Sequence, residues 1–200
     1  MLAYIFWHQP GEGIERDAYE HAAERFHRSL TQTPPAGMRG SAVYRVSELP
    51  WLEGQTGYED WYLLDDFAAV GVLNEAAVAH GHRSAHDEVA NRFGAGAGGM
   101  YGLLEGHADL QCRQVIWVSR PPGSERAALG ELLGDGMEPA HSSLWRRQLV
   151  LGPAPEYCLL APESPAGVAP TRLPKGWRAL MLEREPLWVS PLGVELPPGV

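Results

Sequence analysis

Lysine is nearly missing from this 200-residue chain: Lys175 stands alone, and arginine carries the rest of the positive charge. Positive charge as a whole is short, with 16 basic against 25 acidic residues and a formal net charge of −9. An acidic surface repels phosphate backbones, so no nucleic-acid partner is expected. Cysteine is as scarce, and Cys112 and Cys158 are the whole supply. A secreted disulfide scaffold needs more of them in a shorter chain. Their spacing fits neither a zinc ribbon nor a CxxC redox site, and they read as two buried thiols. No apolar run approaches the roughly 20 residues that span a bilayer, so no membrane partner is expected. The segment 1–7 has no basic stretch and no small-residue cleavage site, which reads as no signal peptide and a cytoplasmic location. The HExxH, GxSxG and GK[ST] patterns are missing too, leaving no motif support for a zincin, a serine-hydrolase elbow or a phosphate loop.

What is present is an ordinary globular composition, 44% hydrophobic and 20% charged, long enough for a sizeable core. Residues 3–8 are aromatic and β-branched and read as a buried strand, closed by Pro10-Gly11-Glu12-Gly13. Tyr19, Ala22, Ala23, Phe26 and Leu30 recur at helical spacing and predict a helix over 15–30. Strands are expected at 41–46 and 58–64, then a helix over 67–79. After His80-Gly81-His82-Arg83, Ser84 reads as the N-cap of a short helix running to Phe93, with Asp87 in place of the usual Glu or Gln of a capping box. The glycine-rich stretch 94–99 reads as a flexible connection, and 100–105 as a fourth strand. The order β-α-β-β-α-β is the ferredoxin-like pattern.

The chain also echoes itself. Tyr4-Ile5-Phe6-Trp7, then Pro10-Gly11 and Glu15-Arg16, is answered by Val115-Ile116-Trp117-Val118, Pro122-Gly123 and Glu125-Arg126. Val43-Tyr44-Arg45 and the strand at 58–64 are answered by Leu144-Trp145-Arg146 and the stretch 155–160. Gly102-Leu103-Leu104-Glu105 is answered by Leu180-Met181-Leu182-Glu183. The echoes keep their order, which favours a duplication. The expected organisation is a ferredoxin-like repeat over 1–108, a trimmed repeat over 109–189 and a tail over 190–200. The trimmed copy loses most of its second helix, because 161–175 is too rich in proline, and 186–200 shows no clear element.

A tandem pair of such units resembles the dimeric α/β-barrel superfamily. The helix end Asp87-Glu88-Val89-Ala90-Asn91-Arg92-Phe93 is distantly similar to EthD-like members. The resemblance implies an α+β fold: two tandem ferredoxin-like βαββαβ units whose antiparallel sheets pack into an α/β barrel. It implies no single activity, since the superfamily holds haem enzymes, cofactor-free monooxygenases, isomerases and non-catalytic sensors.

Two places carry titratable side chains. His80-x-His82-x-x-x-His86 is the densest cluster; His82 and His86 share a helical face if the helix starts early enough, a weak metal-ligand pair. His86 beside Asp87 is also a candidate for proton transfer, against the alternative of a solvated turn. His8 ends the first strand, on the face of Tyr4 and Phe6, and is the second candidate acid or base. Catalytic candidates are therefore His8, His86 and Asp87. Tyr4, Phe6, Tyr44, Trp61 and Tyr62 are candidate ligand-binding residues for an apolar or aromatic molecule, or else core packing. The first reading is a small-molecule-binding barrel acting as a cofactor-independent oxygenase or isomerase, with no cofactor expected. The alternatives are a non-catalytic ligand-binding or assembly module, and a haem or metal protein with a histidine ligand. The pocket is expected in the first half, between the sheet and residues 15–30 and 67–93. A fused pair closes its barrel within one chain, so a homodimer through edge strands is an open partner alternative.

Overall fold

The structure is a computed structural model, and it describes residues 1–47, 49–52, 57–124, 129, 142–150, 154–162 and 173–191. The chain order is β1 (Leu2–Pro10), α1 (Arg16–Gln32), β2 (Met38–Val46), β3 (Gly57–Leu64), α2 (Phe67–Ala79), α3 (Arg83–Ala90), β4 (Phe93–Gly106), β5 (Gln114–Ser119), β6 (Ser143–Val150), β7 (Tyr157–Leu160) and β8 (Arg178–Val189). The eight strands close into one antiparallel barrel in the order β1-β3-β2-β8-β5-β7-β6-β4. The first half therefore runs β4-β1-β3-β2 and the second β8-β5-β7-β6, the same order counted within each half. The halves meet twice, at β2–β8 and at β4–β6, so the described sheet has no open edge. No helix among the described residues is long and apolar enough to cross a membrane.

Strand parity explains the layers. On β1, Ala3, Ile5 and Trp7 point into the barrel and are fully buried, while Tyr4, Phe6 and His8 point out toward the helices. Trp7, Trp61, Trp117 and Trp145 fill the barrel, with edge-on pairs at 5.2 Å (Trp7–Trp117) and 5.7 Å (Trp61–Trp145). Such pairs add about 0.5–1.5 kcal/mol each beyond the burial itself. An ion pair is sealed among them. Arg184 Nη1 donates to Glu59 Oε1 at 3.0 Å, and its Nη2 donates to the Cys112 carbonyl at 2.6 Å. The indoles of Trp7 and Trp61 donate to the two oxygens of the same carboxylate at 2.9 and 2.7 Å, and the guanidinium lies over the Tyr44 ring at 3.9 Å.

Outside the barrel, α1 buries Tyr19, Ala22, Ala23, Phe26, His27 and Leu30 on one stripe against the sheet. Asp66 caps α2, its side chain accepting from the Ala69 amide at 3.0 Å.

Four expectations need correction. Ser84 is not the cap of α3; the helix begins at Arg83 with His82 in the cap position. His82 is pinned there by tertiary bonds to α1, which outweigh the intrinsic preference for serine at a cap. The short helix ends at Ala90, not at Phe93, which already belongs to β4. The glycine-rich stretch 94–99 is no loose connection: it is strand, paired with β1 from Phe93 to Gly102 with one register shift, between Gln9 and Pro10. Glycine has no side chain to show a period of two, so the strand was invisible there. Pro186 and its neighbours to Val189 belong to β8, and the register against β2 shifts between Val43 and Tyr44, where Pro186 sits. A bulge spares the ladder an amide that proline lacks. The echo at Glu125-Arg126 and most of the proline-rich stretch 161–175 lie outside the described residues, as do 192–200 of the tail.

Candidate active site

Between the outward face of the first-half sheet and the helices lies a cavity of about 500 Å³. Tyr4, Phe6 and His8 of β1 and Asp60 and Tyr62 of β3 form its floor; α1, α2 and α3 roof it with Phe26, Leu73, Ala77 and Val89, among others. Val78, Phe93 and Leu149 line it as well and are 40%, 40% and 54% exposed, so its rim reaches solvent through apolar side chains. This is the size and character of a small-molecule pocket, mostly apolar with a few convergent polar groups.

The polar groups converge on Asp60. Its Oδ1 is 3.0 Å from His8 Nε2 and 3.4 Å from His27 Nε2, and its Oδ2 accepts from the Tyr62 hydroxyl at 2.9 Å. The ring N–H of His8 does not point along the 3.0 Å line, so that contact is close without being a well-aligned hydrogen bond. His8 Nδ1 meets the Tyr19 hydroxyl at 2.6 Å, and the His8 ring lies between Phe6 and Tyr58, at 5.4 and 5.6 Å. His27 stacks on Tyr62 at 5.0 Å. His8, His27 and Asp60 are all buried.

Burial alone would push the Asp60 carboxyl upward, but the attraction of the neighbouring His8 and His27 rings wins and holds it well below the usual carboxylate range. Burial acts unopposed on the phenols. It raises Tyr62, Tyr19 and Tyr4 above the ordinary tyrosine value, and the Asp60 charge raises them further. The arrangement is thus an ionised carboxylate, two imidazoles and neutral tyrosines grouped at the floor of a largely apolar cavity. A carboxylate beside an imidazole stabilises the imidazolium, so the pair can take a proton from a bound molecule and return it.

The structure sorts the candidates read from the sequence. Tyr4, Phe6, His8, Tyr62 and His86 line the cavity. Tyr44 and Trp61 do not; strand parity turns them into the barrel, where they pack against Arg184. His86 stands at the rim, its Nδ1 3.3 Å from Asp87 Oδ1 and its ring edge-on to Phe26 at 5.6 Å. Asp87 is half-exposed, bonded also to Arg83 at 3.3 Å, and does not line the cavity. His82 and His86 do not act as a chelating pair: His82 is buried with Nδ1 on Ser29 Oγ at 3.1 Å and Nε2 on the Thr33 carbonyl at 3.0 Å. Among the described residues no group of three or more histidine, cysteine, aspartate or glutamate side chains is arranged to hold a metal ion.

Asp60, His27 and Tyr19 escaped the sequence reading. A signal existed for each. Asp60 lies on the Tyr58 and Tyr62 face of a fully buried strand, where an acid needs partners. Tyr19 and His27 lie at i and i+8 on the buried stripe of α1.

No protein-family model matches the chain, and no curated protein matches it. Solved structures do. An anthrone oxidase-like protein matches over 100% of this chain and 96% of its own, at 11% identity and a TM-score of 0.56. A candidate monooxygenase from Fusobacterium nucleatum subsp. nucleatum matches over 94% of this chain and 93% of its own, at 10% identity and a TM-score of 0.62. A candidate monooxygenase from Lactobacillus acidophilus matches over 96% and 97%, at 12% identity and a TM-score of 0.54. At such identities the likeness establishes the fold, an α+β closed antiparallel barrel.

Proposed function

We infer that the chain is a small-molecule enzyme of the cofactor-independent oxygenase kind, acting on an aromatic compound with an ionisable O–H or activated C–H group. The observation that carries this reading is the Asp60–His8 pair, with His27 behind it, on the floor of a cavity lined otherwise mostly by aromatic and aliphatic side chains. The pair accepts the substrate proton, and the tyrosines stay neutral and orient the anion. That anion is electron-rich enough to reduce dioxygen. A ring CH2 and O2 yield a carbonyl and water: a C=O double bond and the two O–H bonds of water form, two C–H bonds and the O–O bond break, and carbon supplies all four electrons. The solved structures named above support the reading through the words "oxidase" and "monooxygenase" in the names of proteins that share the fold.

The test is oxygen uptake with hydroxylated one-, two- and three-ring aromatic compounds and their cyclic ketones. Wild-type protein is expected to consume oxygen with at least one class, and His8→Ala or Asp60→Asn to slow it by about 10²–10⁴. Tight binding with no oxygen uptake and no isomerised product would instead mark a non-catalytic ligand-binding module.

A further inference from the structure

The outward face of β4 is almost bare. Gly96, Gly98, Met100 and Gly102 alternate along the strand and share one face. The β1–β4 register sets Gly98 opposite Phe6 and Gly96 opposite His8, so the bare face is the cavity face. Rings from β1 lean across it. A Cβ on Gly98 would lie 3.1 Å from Tyr4 Cε2, 3.3 Å from the Tyr4 hydroxyl and 3.5 Å from Phe6 Cδ2. A Cβ on Gly96 would lie 2.8 Å from Phe6 Cζ, 2.9 Å from Phe93 Cε2 and 2.7 Å from the Trp7 carbonyl oxygen. The rings occupy the volume that β4 side chains would otherwise fill, an aromatic cover over glycine. Tyr62–Tyr4 and Phe6–Phe93 stack, at 23° and 24° with centroids 5.8 Å apart in each, and Tyr4–Phe6 between them is tilted by 32° at 6.3 Å.

We propose that Gly98, with Gly96 behind the Phe6 ring, is the specificity-determining position of this cavity and selects flat ligands of two or three fused aromatic rings. With glycine there, Tyr4 and Phe6 lie down on β4 and leave the cavity deep. A lone Cβ at Gly98 makes the Tyr4 ring give by a few tenths of an ångström, and a branched side chain pushes it further, into the space a second and third ring would take. The proposal rests on the reading that the cavity takes an aromatic ligand, and adds which residue sets the ring count.

The test is calorimetric binding of phenol, 2-naphthol and a hydroxyanthracene to the whole chain. Wild type is expected to bind more tightly as rings are added. Gly98→Val is expected to lose roughly tenfold or more on the three-ring probe and less than about threefold on phenol, in the range that a methylene or two is worth in an apolar pocket. Gly98→Ala should shift the same way by less. The double variant Gly98→Val, Tyr4→Ala should regain the three-ring probe, because the displaced ring is gone. Gly71→Ala, which meets open space, serves as the control and should bind like wild type. Should Gly98→Val fail to fold, Gly98→Ala and the double variant decide by the same preference. An unchanged ring preference in the Gly98 variants, or an equal loss on all three probes, would overturn the proposal while leaving the aromatic cavity standing. Wild-type protein that binds none of the three overturns the aromatic-ligand reading as well.

Discussion

Glu59 and Asp60 are adjacent on β3, yet their carboxylates enter two different buried spaces. Glu59 points into the barrel and closes on Arg184 at 3.0 Å; Asp60 points into the cavity and stands 3.0 Å from His8. The period of two along a strand separates a structural acid from a chemical one within a single peptide bond. The two should therefore fail differently when changed.

Removing Glu59 should damage stability before anything else. Glu59→Leu leaves the Arg184 guanidinium unpaired and two indole N–H groups without acceptors. Breaking one partner of a buried pair costs about 3–5 kcal/mol. Arg184→Met should cost less, because the carboxylate keeps both indole donors. Urea unfolding of the two variants checks the order.

Asp60 should show in the acid limb of stability. In the unfolded chain an aspartate titrates near about 3.9. In the fold, burial pushes Asp60 up, but His8 and His27 pull it well below that value. The unfolded state thus takes the proton first. The contribution of Asp60 is whole above about pH 4 and drains away as the pH falls further. Asp60→Asn should flatten that part of a plot of urea midpoint against pH, and an unchanged slope would remove the charge from the account.

Much of the architecture was legible because periodicity survives in sequence. The stripe of Tyr19, Ala22, Phe26 and Leu30 gave α1, and the alternation of Tyr4, Phe6 and His8 with Ile5 and Trp7 gave the two faces of β1. It did not say which face was the cavity. That is set by which way the sheet closes, and so Tyr44 and Trp61 could not be told from Tyr4 and Tyr62. The beginning of β4 was hidden because glycine carries no pattern, and the end of β8 because Pro186 reads as a break until a bulge is seen. The Asp60–His27 contact joins residues 33 positions apart across a helix and a strand, and no spacing rule reaches it.

The two cysteines should be inert in the folded protein. Burial pushes the Cys112 thiol up to about 11 and raises Cys158 well above the ordinary thiol value. A thiolate is the reactive form, and neither is formed at neutral pH. A colorimetric thiol reagent should find almost no thiol in native protein and both in denaturant.

Two left-handed glycines should separate conformational strain from steric clash. Gly13 (φ 75°) and Gly106 (φ 79°) both lie in that region, but a Cβ on Gly13 meets nothing within 4 Å, whereas one on Gly106 would lie 1.9 Å from the Ser142 carbonyl oxygen. Gly13→Ala is expected to cost about 1 kcal/mol from conformation alone. Gly106→Ala should cost clearly more and loosen the β4–β6 end of the barrel. Thermal unfolding of the pair reads the difference.

The central claim is that the cavity binds an aromatic hydroxyl and that the His8–Asp60 pair takes its proton. The absorption spectrum of 2-naphthol bound at about pH 7, near the range where an imidazole titrates, tests it most directly. Wild-type protein should shift the bound probe to the naphtholate spectrum, while His8→Ala and Asp60→Asn bind it with the spectrum of the neutral naphthol. A neutral spectrum on the wild type, or the same naphtholate signal on all three proteins, would contradict the account.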